Sequence, residues 1–155
     1  MSLRPFKLAL LGDWHAGRSS VVSILSGKPC PNHPGISVTR WVEPASEVCF
    51  DLWDLNSRSS LEALGQSFVS GSEALVAVAD ANRPESLVAA RDSLRAAFQL
   101  LGQRPAMLLL NQRGTVAAGQ IDSGIAEVPA FSVNAATGEG VLAAFADLAA
   151  RMPST

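Results

Sequence analysis

Apolar and polar positions change period several times along the chain. Phe6-Lys7-Leu8-Ala9-Leu10-Leu11, Ala74–Ala79, Ala106–Leu110 and Ala130–Val133 are short, almost unbroken apolar runs. Runs of this length read as strands buried on both faces, the mark of a parallel sheet. Between them the apolar residues take helical spacing. Ser19–Leu25 follows the first run, and Leu61, Leu64 and Phe68 share one face of a short helix begun by Ser59 or Ser60. Leu87, Leu94, Phe98 and Leu101 form the stripe of a longer helix that Pro84 starts and Gly102 stops. Val141, Phe145, Leu148 and Met152 mark the last one. Ser37–Val42 and Glu47–Leu55, joined by Glu43-Pro44-Ala45-Ser46, read instead as an antiparallel hairpin. Strands alternating with helices predict an α/β chain. The expected sheet has six strands and is mostly parallel, with one antiparallel edge hairpin and helices on both faces.

No repeat, linker or low-complexity block divides the sequence, so residues 1–155 read as a single domain. Its length, with 48% hydrophobic residues, is enough for a full core. A formal net charge of −2 supplies no basic face, which excludes nucleic acid as the expected partner. No apolar run reaches the eighteen residues of a membrane span, and no secretory leader pattern opens the chain. Cys30 and Cys49 are too few for a disulfide framework, which points to a reducing, cytoplasmic setting. The final Arg151-Met152-Pro153-Ser154-Thr155 holds no cysteine for a lipid anchor. Cys30-Pro31-Asn32-His33 has metal-ligand residue types but lacks a second pair, and reads as a proline-shaped loop.

Candidate chemistry concentrates after the first strand. Gly12-Asp13-Trp14-His15-Ala16-Gly17-Arg18-Ser19 follows the phosphate-loop pattern G-x-x-x-x-G-K-[ST] with arginine in the lysine position. In that pattern glycines let backbone N–H groups curl around phosphate oxygens, and the serine hydroxyl holds Mg²⁺. A planar guanidinium is bulkier than an ammonium and is no point charge. His15 adds bulk where a small residue is usual.

Further segments complete a resemblance. Phe50-Asp51-Leu52-Trp53-Asp54, Val78-Ala79-Asp80-Ala81-Asn82 with Glu85-Ser86-Leu87, Asn111, and Asn134-Ala135-Ala136-Thr137-Gly138-Glu139-Gly140-Val141 follow the loop in order. Together they resemble the Ras superfamily of small GTPases, Rab-like members most, over almost the whole chain. The resemblance implies a small G-domain of the P-loop NTPase class, with GTP or GDP and Mg²⁺ as cofactors. It implies nucleotide contacts from Gly12, His15, Ala16, Gly17, Arg18, Ser19 and Ser20 at the phosphates. Asn111, Gln112, Asn134, Ala135 and Ala136 would lie at the base, with the Ala135 N–H toward the guanine carbonyl. Ser19 and Asp54 would serve the metal.

The departures fall on chemistry. Arg18 replaces the phosphate lysine, Ser57 the glycine that senses the γ-phosphate, and Arg58 the water-orienting glutamine. Gly114 stands where an aspartate grips the guanine edge, and Gln112 replaces a lysine. The family's metal-binding switch threonine maps near Asn32–Pro34, where there is none; Ser37 and Thr39 are the nearest hydroxyls, inside a strand. The segment between Asn111 and Asn134 is short, so the fourth helix should be reduced. Phosphoryl transfer depends on positioning and charge neutralisation, and four of the groups that provide these are changed.

The expectation is therefore a Rab-like pseudo-GTPase, a protein-interaction module with weak or absent GTP binding and hydrolysis. Its partners would be effector proteins or subunits of trafficking assemblies, met through Trp41, Arg58 and Leu61. The alternative is a working GTP/GDP switch or slow GTPase, with Arg18 doing the lysine's work and Ser37 or Thr39 replacing the switch threonine. Two internal arrangements are also expected. Arg18 and Asp54 would pair across the cation position, and Trp14 and Trp41 would either mark a partner surface or pack together to plug the site. Trp53 is expected to be structural.

Overall fold

The structure, a computed structural model, describes residues 4–13, 15–29, 35–55, 67–116 and 119–154. The apolar runs become strands: β1 Phe6–Leu11, β4 Ala74–Asp80, β5 Ala106–Asn111 and β7 Pro129–Val133. The alternating segments become β2 Ile36–Val42 and β3 Cys49–Leu55. Helices α1 Arg18–Ser26, α2 Pro84–Leu101 and α3 Val141–Ala150 follow the helical patterns, and a short strand β6 spans Gln120–Asp122. The chain is thus α/β, built on one seven-stranded mixed sheet in the order β2-β3-β1-β4-β5-β7-β6. β1, β3, β4, β5 and β7 are parallel, while β2 and β6 run antiparallel at the two edges.

The expected count of six strands with a single antiparallel edge is corrected by β6. Gln120–Asp122 is three residues long and lies between Gly119 and Gly124, too short to carry a period. It pairs Ile121 with Ala130 and takes the place of the reduced helix; among the described residues no helix lies between β5 and β7.

The pleat divides the core. Leu8, Leu10, Leu52, Val76, Val78 and Leu109 project to one face, where α1 and α3 cover them with Val21, Leu25, Val141, Phe145 and Leu148. Ala9, Leu11, Leu75, Ala77, Leu108 and Ala130 project to the other, beneath Ala90, Leu94 and Ala97 of α2 and beside Phe68. A fully buried Leu or Phe contributes roughly 1.5–3 kcal/mol of transfer free energy, so these two layers hold the sheet. Leu61 and Leu64 lie outside the described residues.

The hairpin corrects the reading of Trp41. Its outward face carries Ile36, Val38 and Val42, all exposed, with Arg40 bonded to Asp51 at 2.9 Å. Trp41 has the opposite parity and turns inward, stacked on Phe50 (6.3 Å) and edge-on to Phe145 (5.6 Å). It pairs with Phe50, which stands beside Phe6 at the start of β1. Four residues along β3 separate Phe50 from Asp54, about 13 Å of strand, so Trp41 packs the core and lies away from the loop pattern it was expected to plug. Trp53, edge-on to Phe68 with the Lys7 ammonium 3.9 Å from its ring, is structural as expected. Among the described residues no helix is long and apolar enough to cross a membrane.

Candidate functional site

Three loops meet where β1, β3, β5 and β7 end. The β1–α1 loop leaves the sheet at Gly12, whose φ of 125° suits glycine. A Cβ there would stand 2.2 Å from the Val78 carbonyl oxygen, so β4 and the loop need a glycine to come this close. Gly17, at φ 110°, caps α1; a Cβ on it would meet the Asn111 amide at 2.4 Å. Asn111, at the end of β5, ties the loops together. Its Nδ2 donates to the Ala16 carbonyl (3.0 Å), and its Oδ1 accepts the Ala135 N–H (2.9 Å).

Arg18 and Ser19 open α1 and point at the end of β3. The Ser19 hydroxyl donates to Asp54 Oδ2 at 2.6 Å, and Arg18 Nη1 lies 3.3 Å from Oδ1. The side chains of Arg18 and Asp54 are only 5% and 3% exposed, so this is a buried ion pair. Desolvation pushes the Asp54 carboxyl upward, with Arg18 and the Ser19 hydroxyl opposing it in part. Burial likewise lowers the Arg18 guanidinium, against the pull of Asp54 and Asp13. Each charge is tolerated because the other is there; withdrawing one partner from such a pair costs roughly 3–5 kcal/mol. The pairing expected between Arg18 and Asp54 is present.

At the positions the resemblance assigns to the base, the donors are turned inward. The Ala135 N–H expected to meet a guanine carbonyl is held by Asn111. Asn134 is buried, and its Oδ1 accepts the N–H groups of Ala136 and Thr137 at 3.0 and 3.2 Å. Its Nδ2 donates to the Gly114 carbonyl (3.2 Å), while Gln112 Nε2 donates to the Thr115 carbonyl (2.8 Å). Asn134 therefore ties the two loops together, while Gln112 closes its own loop. His15 is exposed and Ser20 partly exposed. Ser37 and Thr39 lie inside β2, as expected. Trp14, Asn32, His33, Pro34, Ser57, Arg58 and Leu61 lie outside the described residues.

One cluster was not read from the sequence, although Asp13, Asp80 and Ser86 lie in its motif segments. Asp13 accepts from Arg83 Nη1 (2.8 Å) and from the Ser86 hydroxyl (2.9 Å), and Ser86 Oγ accepts the Asp80 N–H. Arg83 Nε also donates to Asp80 at 3.1 Å. The loop is thereby clamped to the start of α2. The available signal was a lone charge in the loop facing a lone charge before Pro84, seventy positions on.

The donor set argues against a divalent cation beside Arg18. Mg²⁺ requires close octahedral oxygen coordination, and Asp54 gives one oxygen to Ser19 and the other to a guanidinium. Among the described residues no group of three or more His, Cys, Asp or Glu is placed to hold a metal. A cleft of about 450 Å³ at the β6 edge is lined by Asp122, Glu127, Asp147 and Arg151, and contains none of the motif residues. Its arginine is already taken by Asp147 and the Ala106 carbonyl. Compared with known proteins, the chain matches no family model and no curated protein.

Proposed function

We propose that this chain is a G-domain-like pseudo-GTPase: a scaffold related in design to Rab-like small GTPases and used for protein interaction rather than nucleotide turnover. The sheet order and the meeting of three loops at the strand ends support the scaffold. The observation that carries the function is the closure of the Arg18–Asp54–Ser19 group on itself. The residues that would neutralise a triphosphate and its metal neutralise one another. At the base position Gly114 offers no carboxylate to the guanine edge, and hydrogen bonds to a charged acceptor are worth roughly 1.5–3 kcal/mol each. Weak or absent GTP binding and hydrolysis follow.

The partner would be an effector-like or complex-subunit protein in the cytoplasm. The outward face of the hairpin, with Ile36, Val38 and Val42 exposed around the Arg40–Asp51 pair, supports that assignment. This aliphatic face takes the part expected of Trp41, which packs inward; Arg58 and Leu61, outside the described residues, stay in the proposal from the resemblance alone. Purified protein should carry far less than one equivalent of GDP or GTP when denatured and chromatographed. Its turnover should not exceed that of Ser19→Ala. Stoichiometric nucleotide, or turnover well above that variant, defeats the reading and restores the second one, a slow switch. The second reading is favoured by one specific observation, the intact glycine and asparagine framework of Gly12, Gly17 and Asn111.

A further inference from the structure

Arg18 is the first residue of a nine-residue helix with no acidic residue in its first turn. A cation at that position opposes the positive end of the helix dipole. Burial adds a desolvation penalty, since the side chain is only 5% exposed. Two unfavourable terms at one residue call for a specific anion, and Asp54 supplies it. The fit is incomplete: Arg18 Nε and Nη1 and Asp54 Oδ1 are buried without a hydrogen-bond partner. The guanidinium therefore neutralises the carboxylate by proximity, as a bound ion would, rather than by a bidentate grip.

We propose that Arg18 is a tethered replacement for a divalent metal: it occupies the cation position against Asp54 and makes this end of the sheet indifferent to metal. This rests on the reading of the loop as a phosphate-loop relative. Charge counting gives the consequence. A lysine and a divalent ion against the one carboxylate leave two net positive charges at such a loop, whereas Arg18 against Asp54 leaves none. Ser19, already on Asp54, stands ready to share a metal once the guanidinium is gone. Lysine at position 18 presents a compact ammonium on a flexible stem, which a triphosphate can draw away from Asp54, so Arg18→Lys should leave the carboxylate to a metal.

Mn²⁺ mixed with inorganic triphosphate is the probe, because it bypasses the base side, and electron paramagnetic resonance reads metal uptake directly. Wild type should leave the Mn²⁺–triphosphate signal unchanged. Arg18→Lys should take the ion up at least about ten-fold more tightly, and Arg18→Lys/Asp54→Asn should lose that gain. Folded Arg18→Lys without uptake overturns the proposal, as does wild-type uptake equal to that of the variant. Should Arg18→Lys not fold, ¹⁵N spectra of wild type decide. The Arg18 Nε–H signal should be unmoved by millimolar Mg²⁺ and should shift in Asp54→Asn; displacement by Mg²⁺ overturns the proposal. Failure of the functional reading looks different. Tight binding of GTP by wild type, equal with Mg²⁺ and with chelator, defeats the nucleotide-poor module but supports the tethered cation. An inert wild type with an inert, folded Arg18→Lys does the reverse.

Discussion

The two halves of the loop cluster close by different means. On the side the resemblance assigns to phosphate, closure is ionic and buried: one guanidinium against one carboxylate, held at 3.3 Å and screened from water. On the side the resemblance assigns to the base it is neutral and only partly local. Asn134 serves its own turn through Ala136 and Thr137, and Asn111 joins Ala16 to Ala135. Neutral hydrogen bonds contribute roughly 0.5–1.5 kcal/mol each and lose little when one is exchanged for another. A buried pair contributes little net, yet its rupture is costly because a lone charge remains. The phosphate side should therefore respond sharply to substitution and the base side gradually.

The largest break should come from Arg18→Met, which strands the Asp54 carboxylate in the interior. Urea denaturation should show a loss of about 3–5 kcal/mol, most of it recovered in Arg18→Met/Asp54→Asn. A single-variant loss below about 1 kcal/mol would mean the pair is not buried in solution. Next, Asn111→Ala removes two hydrogen bonds and should cost about 2–3 kcal/mol, with faster amide exchange at Ala135 as the marker.

Acid gives a smaller and more selective test. The Asn82 N–H and then Arg83 hold the Asp80 carboxyl below its ordinary value of 3.8, whereas burial raises Asp54. With a lowered folded value, the contribution of Asp80 is fully present above 3.8 and is lost as pH falls through the lowered one. Asp80→Asn should cost about 1 kcal/mol at neutral pH, and its stability should fall less steeply than wild type between pH 4 and 2. Parallel curves would remove Asp80 from the clamp. The smallest effect belongs to Gly114→Asp. Nothing lies within 4 Å of a Cβ there, and the cost is confined to a φ of 81°, about 1 kcal/mol. It should lose no more than that; a loss of several kcal/mol would show these loops to be tighter than their neutral bonds imply.

The main strands and helices were legible because each is long enough to express a period. β6 was not, since three residues express none. Trp41 misled for a different reason. It shares a face with Ser37 and Thr39, two polar neighbours that disguise the inner side, while apolar Ile36, Val38 and Val42 point outward. In the site, Arg18 and Asp54 could be paired on paper because two motifs fixed both positions. Asp13 and Arg83 could not, because their contact exists only once β1 and β4 lie side by side. Ala135 was placed at the base by its motif, and only the fold shows its N–H already spent on Asn111.

The position of β1 inside the sheet also governs when the molecule can exist at all. Its neighbours are β3 and β4, with Phe6 opposite Phe50 and Leu8 opposite Ala74. At a synthesis rate of about 5–20 residues per second, the first strand leaves the ribosome roughly 3–13 s before its second neighbour. Until then Leu8, Leu10 and Leu11, all within 1% of complete burial in the finished protein, have at most the β2–β3 edge to pair with. One edge of β1 therefore stays unpaired until β4 has emerged, and the inner layer around Leu8 and Leu10 can close only after that.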